Sequence, residues 1–111
     1  GVTLLPGDFI NVDTDVDGVQ LPPGTWGLLC ARSSTMGRGL LVNQAVIDNG
    51  YRGPLFVGVK NIGRDAVEIK AGDRLAQIIP IPLLADGMQW TRVSRLTDSH
   101  RGHRGFGSSG A

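Results

Sequence analysis

Residues Ala45–Gly53 read AVIDNGYRG, and the Asn49-Gly50 pair at their centre is the strongest short-range signal for a β-hairpin. Both central residues of a type I′ turn need positive φ, which asparagine and glycine tolerate best. In such a hairpin Asp48 and Tyr51 are cross-strand partners on one face, roughly 5 Å apart at Cβ. A carboxylate beside an aromatic ring packs poorly but can hold a small polar molecule. The stretch therefore predicts a hairpin with a binding site at its tip.

Short apolar runs between turn residues extend on both sides of this hairpin. With 111 residues, 17 of them glycine and 6 proline, the chain fits one domain and an all-β sandwich or barrel. One helical turn at most is expected, around Thr35–Arg38, because no longer stretch has a 3.6-residue period. The predicted strands are Val2–Leu5, Phe9–Val12, Thr25–Ala31, Leu40–Val42, Leu55–Asn61, Val67–Ile69, Leu75–Ile81 and Gln89–Val93.

Net charge, apolar stretches and cysteine content limit the partners and the compartment expected for this chain. The net charge is +1, which gives no global electrostatic case for binding nucleic acid or an anionic membrane. No apolar stretch approaches the ~18 residues of a membrane span. The single cysteine, Cys30, excludes an intrachain disulfide and fits a reducing compartment. We therefore expect a cytoplasmic protein with neither a nucleic-acid nor a membrane partner.

The acidic stretch Asp13, Asp15, Asp17 has the alternate spacing of a calcium-binding loop. The downstream glutamate of such a loop is absent, and Gln20–Pro23 follows instead. A solvated strand face is therefore the preferred interpretation, with a metal site as the alternative.

Composition changes at His100, where the chain continues as HRGHRGFGSSGA. We divide the chain into a β domain, residues 1–99, and a flexible glycine-rich arm, residues 100–111. The arm has three interpretations: a frayed tail, an RGG-like RNA-binding segment with too few RG pairs, or an arm that closes over an anion. Its one phenylalanine favours closure over a nucleobase.

Four stretches, in this order, resemble the trimeric deoxyuridine triphosphate nucleotidohydrolase (dUTPase) family. They are ARSS at Ala31–Ser34, AVIDNGYRG at Ala45–Gly53, AGDRLAQ at Ala71–Gln77 and RGHRGFGSSG at Arg101–Gly110. Together they look like the second to fifth of that family's five motifs, in the form found in actinobacteria and their phages. The resemblance covers essentially the whole chain.

The chain also departs from the family pattern. The first motif, Ala-Gly-x-Asp-Leu, is absent and would be expected before Gly1. Ala45 and Arg104 stand where glycines are usual. Neither of these two residues removes a chemical group that the reaction needs.

The resemblance implies a β jelly roll assembled as a homotrimer, with active sites at subunit interfaces built from different subunits. It implies hydrolysis of dUTP to dUMP and pyrophosphate, by attack of water on the α-phosphorus, with Mg²⁺ bound through the substrate triphosphate. The implied location is the cytoplasm, or that of a bacterial host if the protein is phage-encoded.

The nucleoside residues follow from the third motif. Asp48 would be the general base, or a ligand of the 3′-hydroxyl. Tyr51 would lie against the deoxyribose and exclude a 2′-hydroxyl. Backbone groups of the hairpin, around Val46, would read uracil, and Asn43 would add a side-chain contact.

The phosphate residues follow from the other three motifs. Gln77 lies on an otherwise apolar strand face and needs a hydrogen-bond partner if it is buried; a phosphate or its water would supply one. Phe106 in the arm would stack on uracil. The remaining implied phosphate-binding residues are Arg32, Ser33, Ser34, Arg101, Gly107, Ser108 and Ser109.

Two rivals remain beside hydrolysis of dUTP. A dCTP deaminase shares the fold but needs a glutamate on the strand after the hairpin, where this chain has Gly58. A nucleotide-binding or regulatory protein could keep the scaffold without turnover, because the first motif is missing.

Overall fold

The computed structural model describes residues 1–84 and 88–102. It confirms the all-β prediction, with one short helix among the described residues, and three of the predicted strands have the predicted bounds. The elements are β1 (Val2–Leu4), β2 (Phe9–Asp13), β3 (Thr25–Ala31), α1 (Ser33–Gly37), β4 (Leu40–Val42), β5 (Ala45–Ile47), β6 (Phe56–Asn61), β7 (Val67–Ile69) and β8 (Ala76–Pro82).

The strands form small antiparallel sheets in the orders β1-β7, β2-β6-β4 and β5-β3-β8. Alternation along β3 produces the expected two faces: Gly27 and Leu29 are buried, whereas Trp26, Leu28 and Cys30 are only half-buried. The buried face packs on residues of the neighbouring sheets. The core consists of Leu4, Leu21, Leu29, Leu40, Val42, Ile47, Leu55, Val57, Val59, Ile69 and Leu75.

The predicted hairpin is wrong in its pairing and in its turn type. β5 pairs with β3, whereas β6 lies between β2 and β4 in another sheet. Gly50 has φ +98°, but no described residue other than glycine has positive φ, so Asn49 does not adopt the type I′ conformation. Positive φ at the second central residue alone is the pattern of a type II turn. Type II turns splay the flanking strands, which explains why they enter different sheets.

Residues Gln89–Val93 form no strand in this single chain, so that prediction is also wrong. A strand needs a partner edge to satisfy its backbone groups, and this segment pairs with no strand among the described residues. Trp90 is completely exposed, with a relative accessibility of 104%.

The acidic stretch is solvated, but most of it is not a strand. Only Asp13 belongs to β2; Asp15 and Asp17 are exposed in the loop that follows. The Thr14 hydroxyl donates to the Leu55 carbonyl (2.8 Å) and accepts from the Val16 N–H (3.1 Å), which turns the chain away from β6.

No helix among the described residues is long and apolar enough to cross a membrane.

Candidate active site

The turn after β5 borders a cleft of about 260 Å³. This volume lies just below the roughly 300–1,000 Å³ typical of pockets for drug-sized ligands. Asp48 and Tyr51, predicted together at the turn, both border it. The lining residues are Leu29, Ala45, Val46, Ile47, Asp48, Tyr51, Pro54, Leu55 and Phe56.

Asp48 is the acidic group of this cleft. It follows the last residue of β5, and its carbonyl accepts a hydrogen bond from the Tyr51 N–H (3.0 Å) that closes the turn. The side chain is exposed, and its carboxylate has no partner among the described residues. An unpartnered carboxylate on a closed turn can orient a water molecule and accept its proton.

Tyr51 is fixed by the residues that follow it. Its hydroxyl donates to the Pro54 carbonyl (2.8 Å), and its ring lies directly over Gly53. A Cβ at Gly53 would lie 2.6 Å from the tyrosine Cζ, closer than any real side chain tolerates. Glycine is therefore required there for the ring to keep this position beside the cleft.

The edge of β5 supplies backbone groups to the cleft. β5 is the outer strand of its sheet and pairs on one side only, with β3. The backbone groups on its other side are therefore left for a ligand or solvent. Val46, at the middle of this edge strand, is 65% exposed.

Asn43, which follows β4, lies close to Gly58 in β6. The Asn43 N–H donates to the Gly58 carbonyl (2.8 Å). A Cβ on the buried Gly58 would lie 3.0 Å from the Phe9 ring and 3.1 Å from the Asn43 Cβ. A glutamate side chain at this position would displace Phe9. With glycine there, the strand lacks the acid–base group that a dCTP deaminase needs.

The long-range hydrogen bonds of the Asn49 side chain were not predicted from the sequence. Its Nδ2 donates to the carbonyl oxygens of Pro22 (3.0 Å) and Thr25 (2.8 Å). Arg52 makes a similar contact, because its Nη1 donates to the Val19 carbonyl (3.2 Å). These partners lie more than twenty residues away, so no local sequence signal could have revealed them.

Arg32 lies between β3 and α1 and is half-buried. Its Nη1 makes a long contact to the Arg74 carbonyl (3.4 Å). The buried Thr35 hydroxyl of α1 donates to the Leu75 carbonyl (2.7 Å), which fixes the helix to the residue just before β8. Ser33 and Ser34 begin α1, and both residues are exposed.

Gln77 has a hydrogen-bond partner within this chain. The side chain is exposed, and its Nε2 donates to the Ala31 carbonyl (3.0 Å), next to Arg32. It also lines a wider cleft of about 520 Å³ beside the acidic loop and the turn at Lys70–Asp73. The glutamine is thus held at the Arg32 end of β3.

The two groups of candidates occupy opposite ends of β3. Ile47, next to Asp48, pairs with Gly27, whereas Ala76, next to Gln77, pairs with Ala31. Four residues of extended chain separate these positions, which corresponds to about 13 Å. We call Asp48–Tyr51 the turn end of β3, and Arg32–Ser34 with Gln77 the helix end. A single chain does not bring the two ends together.

The predicted arm lies mostly outside the described residues. Arg101 is described and exposed, and Gly102 donates its N–H to the Ser99 hydroxyl (3.0 Å). The predictions for Phe106, Gly107, Ser108 and Ser109, and the position of Arg104, lie outside the described residues.

The acidic loop forms no metal centre. The described part of the chain contains no group of three or more His, Cys, Asp or Glu side chains placed to hold a metal ion.

One titratable group near the helix end is clearly perturbed. The Lys70 N–H donates to Oδ2 of Asp73 (2.9 Å), and this hydrogen bond lowers the pKa of the Asp73 carboxyl below its usual value. The nearby Arg38 guanidinium, 3.4 Å away, lowers the pKa further.

The described residues combine a small antiparallel β fold, a cleft beside the exposed Asp48 carboxylate and a separate end that carries Arg32, an arrangement compatible with an anionic, ring-bearing ligand such as a nucleotide. The family model described as dUTPase matches residues 1–110. The chain belongs to the dUTPase family.

Individual relatives agree with this. The chain is 42% identical over 113 residues to deoxyuridine 5'-triphosphate nucleotidohydrolase of Leifsonia xyli subsp. xyli, covering 98% of this chain and 72% of that protein. It is 35% identical over 99 residues to the Pol polyprotein of equine infectious anemia virus (strain Wyoming), covering 89% of this chain but only 8% of the polyprotein.

The fold agrees as well. The dUTPase of Staphylococcus bacteriophage 80alpha, solved with dUPNHPP, superposes with a TM-score of 0.85 at 28% identity, covering 99% of this chain and 80% of that one. The fold is the jelly roll of the dUTPases.

Proposed function

We propose that this chain hydrolyses dUTP to dUMP and pyrophosphate. The observation that carries the proposal is the unpartnered Asp48 carboxylate, held on a closed turn beside a cleft of nucleoside size. Membership of the dUTPase family supports it, as do the relatives named as dUTP nucleotidohydrolases. The reaction is attack of a water molecule on the α-phosphorus with pyrophosphate as the leaving group.

Asp48 is the general base of this reaction. It orients the attacking water and takes its proton, a role worth typically 10²–10⁴-fold in rate. Tyr51 lies against the deoxyribose, where its fixed ring leaves no room for a 2′-hydroxyl. Uracil is read by the backbone edge of β5 around Val46, with Asn43 adding a side-chain contact.

The substrate is the Mg²⁺ complex of dUTP, with the ion carried on the triphosphate. A dUTPase of phage phi11 of S. aureus has been solved with a structural Mg(II) ion, which supports a role for magnesium in the family. The triphosphate is bound at the helix end, where Arg32 pairs with its oxygens. The other proposed phosphate ligands are Ser33, Ser34, Gln77, Arg101, Ser108 and Ser109, with Gly107 in the arm and Phe106 stacking on uracil.

We further propose that the protein is a homotrimer and that neighbouring subunits complete each site. The main support is the separation of the turn end from the helix end.

Surface area points the same way. The accessible surface is 8811 Å², against about 5,900 Å² for a typical monomer of this mass. Part of the excess is apolar and lies after β8, at Leu84, Met88, Trp90, Val93 and Leu96. Contact with other subunits would cover such side chains.

A cytoplasmic location follows from the same assignment, since Cys30 is a free thiol and the proposed substrate is an intracellular nucleotide. The alternative, which an experiment must exclude, is that the chain binds the nucleotide without hydrolysing it.

The test is incubation with dUTP, dCTP and dTTP in the presence of Mg²⁺, following pyrophosphate and ammonia. We expect pyrophosphate from dUTP alone. Ammonia from dCTP would replace the proposal with deamination, and no product from any nucleotide would replace it with binding. The matched control is Asp48→Asn, which should bind dUTP but turn it over at least about a hundredfold more slowly.

A further inference from the structure

The turn end contains a side chain whose hydrogen bonds the proposed reaction does not yet explain. Asn49 stands in an exposed turn, yet its amide nitrogen donates to the carbonyl oxygens of both Pro22 (3.0 Å) and Thr25 (2.8 Å). Both hydrogen atoms of the amide are therefore used. The contact joins the turn to a segment 24 to 27 residues earlier in the chain.

The backbone of the turn does not require asparagine at this position. Asn49 has negative φ, a conformation that most residues adopt, and only the glycine after it needs positive φ. What asparagine contributes here is the side-chain amide, with two donors at the correct length.

The segment that receives these donors is rigid. Pro22 and Pro23 restrict its backbone, and the Thr25 hydroxyl donates to the Pro22 carbonyl (2.7 Å). The Leu83 N–H donates to the Gly24 carbonyl (2.8 Å), so this segment is held from β8 as well. Asn49 thus connects the turn to a fixed support.

Asp48 is held by both of its neighbours. On one side Ile47 pairs with Gly27 in the sheet. On the other side lies Asn49, the next residue in the chain, whose side-chain amide is hydrogen-bonded to Pro22 and Thr25. If the amide contact is lost, only the pairing at Ile47 and the hydrogen bond across the turn remain.

We propose that Asn49 is a positioning residue for Asp48: its amide holds the carboxylate at the place from which it activates the attacking water. The inference rests on the proposed role of Asp48 as general base. Asn49 contacts no substrate atom in this scheme, so its effect falls on the chemical step and not on the binding of dUTP.

The test compares Asn49→Ala with the unmodified chain. We expect kcat to fall roughly ten- to a hundredfold, because misplacing a reacting group by about 1 Å costs on the order of 10² in rate. KM for dUTP should change less than about threefold, since the cleft lining is unchanged. The oligomeric state and the melting temperature are measured alongside, and Asn49→Ser replaces the alanine variant if that variant does not fold.

Thr25→Ser is the matched control. It keeps the hydroxyl that donates to the Pro22 carbonyl and leaves both Asn49 contacts in place. Its kcat should remain within about twofold of the unmodified chain, because the support and its link to the turn are both intact.

A double-mutant cycle with Asp48→Asn distinguishes positioning from a general structural role. Without the carboxylate there is nothing left to position, so Asn49→Ala should then cost no further kcat. The same fold loss in both backgrounds, or an unchanged kcat in Asn49→Ala alone, would overturn the inference but leave Asp48 as the base. Near-normal turnover of Asp48→Asn itself would overturn both assignments.

Discussion

The turn end and the helix end of β3 differ in how their side chains are held. At the turn end, Asn49, Tyr51 and Arg52 all donate to backbone carbonyls of the same chain, at 2.8 to 3.2 Å. At the helix end, Gln77 also donates to a backbone carbonyl, that of Ala31 (3.0 Å), but Arg32 makes only one long contact and Ser33 and Ser34 are exposed. One chain therefore completes the first region and leaves the second open.

This difference matches the chemistry proposed for each end. A general base acts only from a well-defined position, so preorganisation within one chain favours it. Phosphate groups bring their own charge and can draw flexible cationic side chains into place. The structure thus separates a turn end that is well held within one chain from a helix end that is more open, and we propose that the substrate, the arm and a neighbouring subunit complete the second.

Deletion of residues 101–111 should have the largest effect on the open region. We expect hydrolysis of dUTP to be lost, because the arm contributes phosphate ligands and the ring that closes over uracil. The trimer should persist, which light scattering on a sizing column measures. Dissociation of the trimer would show instead that the arm is an assembly element.

Gly53→Ala should have an intermediate effect on the rigid region. The added methyl group collides with the Tyr51 ring and forces it to turn. We expect discrimination between dUTP and UTP, measured as the ratio of kcat/KM, to fall by about tenfold. Gly37→Ala is the matched control, since a Cβ there meets nothing within 4 Å. If Gly53→Ala discriminated between dUTP and UTP as well as the unmodified chain does, Tyr51 would have no role in selecting the sugar.

Asp73→Asn should have the smallest effect, confined to stability beside the helix end. The lowered pKa of the Asp73 carboxyl means that its ionised form stabilises the fold above the ordinary value of 3.8, and that this contribution is lost as pH falls through the lowered pKa. The difference in melting temperature between Asp73→Asn and the unmodified chain should therefore be present at pH 7 and shrink below pH 4. An equal difference at both pH values would rule out this linkage.

Much of the strand pattern was predictable because its signals are local. Thr25–Ala31, Leu40–Val42 and Val67–Ile69 have the predicted bounds, since apolar alternation and flanking turn residues define them. The pairing of β5 was not predictable in the same way. Its partner is decided by contacts such as Ile47 with Gly27, far apart in the chain, and these override the hairpin signal.

The candidate site divides in the same manner. The Asp48 and Tyr51 pair was predictable from its motif, although the turn that presents it is type II and not type I′. The support that Asn49 provides was not, because Pro22 and Thr25 carry no sequence sign that their carbonyls receive it. Asn49 belongs to the same motif as Asp48 and Tyr51, but its supporting contacts are visible only in the folded chain.

The central claim is that the turn end of one subunit works with the helix end of another. Mixing two inactive variants, Asp48→Asn and Arg32→Ala, after subunit exchange tests it most directly. If the claim holds, about one quarter of the sites in randomly mixed trimers combine an intact Asp48 with an intact Arg32, and dUTP hydrolysis returns to about that fraction. Mixed trimers that form but stay inactive would show that both residues must come from the same chain.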